Sequence, residues 1–160
     1  MARRGHSSSM VTLALEALAG KAPDVSFVHD CPGVVKSGIA RGTTGAMWTA
    51  MKVVLAVAGQ LLYIPQEESG ERHLFLATSA KYPAGINATA SGVPLADGVQ
   101  VARGTNGEVG SGVYSIDQKC DSAGPSVEKL LAELRREGVG EKLWGDIEEQ
   151  FKRVTGTEVA

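Results

Sequence analysis

At 160 residues the chain has the length of one domain with room for a buried core. An apolar share of 43%, a charged share of 21% and a formal net charge of −2 fit a globular protein and exclude the basic field that nucleic acid would attract. Two distant cysteines, Cys31 and Cys120, suit neither a metal knuckle nor a disulfide framework, and they point to a reducing, cytoplasmic setting.

The N-terminus, MARRGHSSSMVTLALEALAGKA, imitates a signal peptide, with basic residues before an apolar run. Glu16 interrupts that run, however, and Met10, Leu13, Ala14, Ala17 and Leu18 recur at helical spacing. The pattern predicts an amphipathic helix over 7–19, opened by the serines at 7–9 and stopped at Gly20.

Residues 25–30, VSFVHD, predict a buried strand, followed by a loop over 31–44. Ligands of open α/β sheets bind beyond the carboxyl ends of strands. Pro32-Gly33 there holds the chain out of a helix, so following backbone groups can face a ligand and the Ser37 hydroxyl can donate. A plain turn is the competing reading.

Between Thr44 and Pro65 the only charged residue is Lys52. The run predicts a helix over 45–62, either a lid over an apolar site or a membrane contact through 45–63 with Trp48 and Tyr63 near its ends. A strand or helix end follows at 72–78, with EESGER at 67–72 as a solvated loop and helix start rather than an acid/base pair. Residues 80–97 are irregular, and Asn87-Ala88-Thr89 is a loop tripeptide if the chain is not secreted.

The glycines of GTNGEVGSG, 104–112, superficially suggest a dinucleotide loop, but a β-type run follows them instead of a helix. Asn106-Gly107 therefore predicts a hairpin between strands at 98–102 and 112–116. Two amphipathic helices, 126–137 and 140–154, close the chain, parted by Gly138 and Gly140. His6, His29 and His73 are too scattered for a metal site, and no complete catalytic set is visible.

This order predicts a single α/β domain over 1–160 with parallel strands, in which one confident central strand leaves open edges. Those edges, or the apolar 45–62 surface, predict self-association.

The stretch VSFVHDCPGVVKSGI resembles the sixth strand of short-chain dehydrogenases/reductases and the Pro-Gly loop after it. GHSSSMVTLALEALAGKAPD is similar to the helix preceding that strand, and EESGERHLFLATSAKYP to the segment that packs the last helix and strand. GVPLADGVQVARGTNGEVGSGVYSID with its two helices resembles the C-terminal extension of large fungal members. The resemblance implies a partial Rossmann-like, doubly wound sheet over 1–79, without the N-terminal nucleotide-binding half, and a C-terminal extension over 80–160 carrying the hairpin and the two helices. It implies NAD or NADP as cofactor, with Pro32, Gly33, Val35 and Ser37 on the nicotinamide side and an apolar residue at Ile39.

Two departures accompany the resemblance. No TGxxxGxG turn is present, and neither is the Tyr-x-x-x-Lys pair that transfers the proton. The closest register puts His6 and Met10 in their places; His6 could act as an acid, with an ordinary pKa of about 6.5, whereas Met10 cannot. The leading expectation is a portion or shortened member of an NAD(P)-dependent oxidoreductase of this family. Its substrate would be a carbonyl or alcohol on an apolar small molecule of secondary metabolism, and another chain or a preceding N-terminal half would complete the cofactor site. The alternatives are a non-redox binding or interaction module and a membrane-associated protein.

Overall fold

β1 (Phe27–Asp30) and β2 (Val113–Ile116) pair in parallel, Phe27 opposite Val113 and Asp30 opposite Ile116. The computed structural model describes residues 2–35, 42, 44–85 and 92–158. Among these residues five helices accompany the strands: α1 (Ala2–Lys21), α2 (Ala46–Leu62), α3 (Gln66–Thr78), α4 (Pro125–Arg136) and α5 (Val139–Thr155). The architecture is α/β, consistent with part of a Rossmann-like sheet.

Strand side chains alternate between the two faces, so each face takes its own cover. On one face His29 Nδ1 lies 2.8 Å from Thr12 Oγ1 of α1. On the other, Val28 and Leu76 pack against buried Tyr82, Ala102, Tyr114 and Ile116. Phe75, Tyr82 and Tyr114 form an edge-to-face chain, with ring centroids 6.1 and 5.4 Å apart, a geometry that aligns ring edges with ring faces. Tyr114 is fully buried. Its hydroxyl donates to Pro83 O at 2.7 Å and accepts the Gly112 N–H at 3.3 Å.

The two outer edges of this sheet differ. On β2, Val113 O accepts from Thr105 N and Ser115 O from Ala123 N, so loops cap that edge. On β1, Phe27 N and Cys31 N donate toward β2, to Gly112 O and Ile116 O. The backbone groups of Val28 and Asp30 therefore face the opposite way. Among the described residues no strand lies there, because the sheet has two strands. The lone-strand problem in the sequence is thus half answered, by β2.

The C-terminal helices dock on α1 through a charged clamp. Arg135 Nε and Nη2 donate to the two carboxylate oxygens of Glu16 at 2.8 and 2.7 Å, and Nη2 also reaches Thr105 O. The Thr105 hydroxyl donates to the same carboxylate at 2.7 Å. Gly138, at φ 67°, makes the left-handed turn between α4 and α5.

Several sequence expectations need correction. α1 begins at Ala2, so Ser7–Ser9 lie inside the helix rather than capping it; the Thr12 hydroxyl donates back to Ser8 O. Gly20 and Gly140 lie within helices. The 72–78 segment takes the helical of its two readings, and α3 takes in the whole of EESGER, with Glu67 and Glu68 in its first turn, where the helix dipole favours acids. The strand expected at 98–102 is absent. The hairpin shrinks to one antiparallel bridge, Arg103 with Val109, around Gly107 at φ 88°. The reason is competition: Ala102 N donates to Lys81 O, and Arg103 N to Ser122 Oγ. α2 forms as expected, and no helix among the described residues is long and apolar enough to cross a membrane.

Candidate functional site

The carboxyl ends of both strands converge, as the parallel pairing requires. β1 runs into Cys31-Pro32-Gly33, and β2 into a turn at 117–121. There Asp117 Oδ1 accepts from Lys119 N and Asp121 N, and Cys120 takes a φ of 62°. Gly33 has a φ of 76°, and a Cβ there would run into Gln118 Oε1 and stand 3.0 Å from Ile64 Cδ1. The left-handed turn favours glycine there, and any Cβ would also have to displace the end of the Gln118 side chain.

Val34 and Val35 then tie this loop to the end of α2. Ile64 N donates to Val34 O at 2.9 Å, and Val35 bridges to Ile64 in parallel. The Pro-Gly loop, the exit of α2 and the turn after β2 thus form one wall around Gly33. Pro32 and Val35 are half-buried, and Gly33 is exposed. Of the sequence-derived candidates, Pro32, Gly33 and Val35 come together here. Ser37 and Ile39 lie outside the described residues, as do Asn87–Thr89 and the side chain of His6.

Beside this wall is a cavity of about 730 Å³, lined in part by Ser26, Val28, Asp30, His73, Leu76 and Tyr82. It opens along the face of β1 that α3 covers. Ser26 Oγ is buried and has no hydrogen-bond partner among the described residues. At the rim, His73 Nε2 stands 3.2 Å from Asp30 Oδ2, and His73 Nδ1 is 2.6 Å from Ser69 O. Burial pushes the Asp30 carboxyl above its usual range, while the positive charges of His73, His29 and Arg72 oppose the shift. Burial pushes His29 the other way, below 6.5, with Asp30 opposing. The Cys120 thiol and the Tyr82 hydroxyl are both raised, chiefly by burial, and are held protonated at neutral pH.

Sequence reading missed the Asp30–His73 pair. Its only local signal was two ionisable residues, His29 and Asp30, ending an apolar strand; the partner on α3 lies too far along the chain for spacing to show it. The described residues hold no cluster of three or more His, Cys, Asp or Glu side chains that could take a metal ion. They also hold no glycine loop opening a helix toward this wall: Gly107 and its neighbours sit in the turn before β2, at the amino end of the strands.

The chain is similar to fungal proteins named as oxidoreductases. It is 38% identical over 152 residues to an oxidoreductase of Emericella nidulans, a match covering 89% of this chain and 42% of that protein. The oxidoreductase andH of Emericella variicolor is 32% identical over 95% of this chain and 44% of its own length. An NmrA-like family domain-containing oxidoreductase, notO, of Aspergillus sp. is 30% identical over 87% of this chain and 36% of its own. The chain therefore spans less than half the length of these curated relatives. No family model and no solved structure matches it.

Proposed function

We propose that the chain is the carboxyl-terminal portion, or a shortened member, of a short-chain dehydrogenase/reductase. In this reading it is an NAD(P)-dependent oxidoreductase acting on a carbonyl or alcohol of an apolar small molecule of secondary metabolism. The observation that carries the reading is the glycine cradle at the carboxyl end of β1, where Gly33 turns with a positive φ against Ile64 and Gln118. The relatives named oxidoreductases support the redox class.

Pro32, Gly33 and Val35 would line the nicotinamide side of the cofactor, with Ser37 donating to its carboxamide. When bound, the nicotinamide supplies or accepts hydride; the wall orients it and keeps water from one face. α2 serves as the substrate-side lid: Met47, Trp48, Val53, Val54 and Val57 are exposed along it. The phosphate-binding turn and the proton donor come from a partner segment, the N-terminal half of a longer protein. Its last strand pairs with the open edge of β1, and its body fills the adjoining cavity.

NADPH titrated into the chain alone and into the chain mixed with the N-terminal half of a full-length relative tests this. Saturable binding in the mixture, weakened about tenfold by Ser37→Ala, is expected. A stable mixture that binds no NADPH at millimolar concentration sinks the redox reading and favours a binding module without catalysis. A second copy is the competing occupant of the β1 edge, and a dimer of the isolated chain by light scattering that the N-terminal half fails to dissociate would assign the edge to it. Recovery of the chain with liposomes on flotation would instead mark the exposed α2 residues as a membrane contact.

A further inference from the structure

The two ring nitrogens of His73 face different kinds of acceptor. Ser69 O is a carbonyl and can only accept, so Nδ1, 2.6 Å away, carries a hydrogen. Nε2 then faces Asp30 Oδ2 at 3.2 Å. A neutral Nδ1–H imidazole presents a lone pair at Nε2, and an ionised carboxylate presents lone pairs in return. The contact therefore requires a proton between Nε2 and Oδ2, either on an imidazolium beside a carboxylate or on a carboxylic acid beside a neutral ring.

Among the described residues, other side chains also tie α3 to the sheet and its turns. Leu76 packs on the core, Phe75 meets the edge of Tyr82, and Arg72 donates to Gln118 O. Arg72 also pairs with Glu68 on its own helix. The charged groups around Asp30 are His29 on its own strand, Arg72 and His73 from α3, and Asp117 from the turn after β2. Cys120 and Tyr82 stand close enough to feel its charge. Among these groups, His73 is the one whose ring reaches the Asp30 carboxylate.

We propose that the proton held between Asp30 and His73 latches α3 to the carboxyl end of β1, and that its loss to water frees the helix from the strand. The latch closes one end of the cavity and fixes the residue three places before Gly33. It adds pH control to the wall described above and rests on no bound cofactor.

The test is NMR on the full chain, isotopically labelled, from about pH 5 to about pH 8, where histidine changes charge. The His73 ring, the Asp30 carboxyl carbon and the amides of residues 70–75 should move together in one transition. Cross-relaxation between the His73 ring and Asp30 should disappear above it. His73→Gln, which cannot titrate, should abolish the transition at Asp30 and in α3. Asp30→Asn should likewise leave the contacts of Leu76 and Phe75 on α3 steady across this range, which guards against a local effect of the first substitution. Separate transitions at Asp30 and His73, a steady α3, or a transition that survives both substitutions would overturn the latch. Because no cofactor takes part, that result would leave the oxidoreductase reading untouched, just as failed NADPH binding would leave the latch standing.

Discussion

Arg135 and Glu16 lie 119 positions apart in the chain and meet through two parallel hydrogen bonds, Nε to Oε2 and Nη2 to Oε1. The pair is mostly shielded, with side-chain exposures of 31% and 20%. The Glu16 hydrogen bonds hold the guanidinium above its ordinary pKa, against the cost of burial. A fork-to-fork pair of this kind fixes geometry as well as energy, which a lysine at 135 would not do.

Breaking that clamp from either side should therefore cost more than a surface ion pair. Arg135→Met and Glu16→Gln are each expected to lower unfolding free energy by about 1–3 kcal/mol in urea titrations. The double substitution should cost less than the two losses added, because no charge is then left without its partner. Additive losses would mean that the two residues act independently.

Tyr114→Phe removes one hydroxyl that serves two backbone groups, Pro83 O and Gly112 N–H. The ring stays and its packing against Tyr82 is kept, so the loss isolates the hydrogen bonds. About 1–2 kcal/mol of destabilisation is expected. An unchanged urea midpoint would mean that water replaces the hydroxyl without cost.

Gly33→Ala forces a side chain into a left-handed turn and against Gln118. A cost of roughly 1–2 kcal/mol is expected from the backbone alone, plus the displacement of Gln118. Adding Gln118→Ala should recover the second part and leave the first. Thermal unfolding of the single and double variants separates the two contributions, and an unaffected single variant would show that the cradle is loose.

Stability should respond to acid in two opposed steps. His29 has its folded pKa below 6.5, so the unfolded chain takes the proton first as pH falls. The stability that neutral His29 contributes is present above about 6.5 and is lost as pH drops toward the folded value. Asp30 is shifted the other way, so the folded carboxyl protonates first, and acidification through its window down to 3.8 returns stability. His29→Gln should flatten the first step in urea midpoints measured across this range while leaving the second. A first step of unchanged size in that variant would assign it to another group.

Much of this fold could be read from the sequence where periodicity was strong. α2, α4 and α5 matched their expected ranges closely, because apolar stripes and Gly138 set them locally. The strand at 25–30 and the Pro-Gly turn were equally legible. The parallel partner was not, because Val113–Ile116 looked like a hairpin arm and pairing depends on what else competes for the backbone. Lys81 O took the Ala102 N–H that a 98–102 strand would have needed, and Ser122 Oγ took the N–H of Arg103 just after it. Of the site, the Gly33 cradle followed from local residues, whereas Gln118, Ile64 and His73 enter it only through tertiary contacts.

The parallel pairing of Phe27 with Val113 also sets the order in which this molecule can be made. β1 leaves the ribosome long before β2, and its only sheet partner among the described residues comes from the last third of the chain. Until then the edge that β2 will take is bare, the condition in which strands pair with the wrong neighbour. The nascent chain has α1 to cover one face of β1 in the meantime, and the His29–Thr12 contact is near enough in sequence to form early. Synthesis rate and chaperone access during that interval, more than the stability of the finished domain, would govern the yield of folded protein.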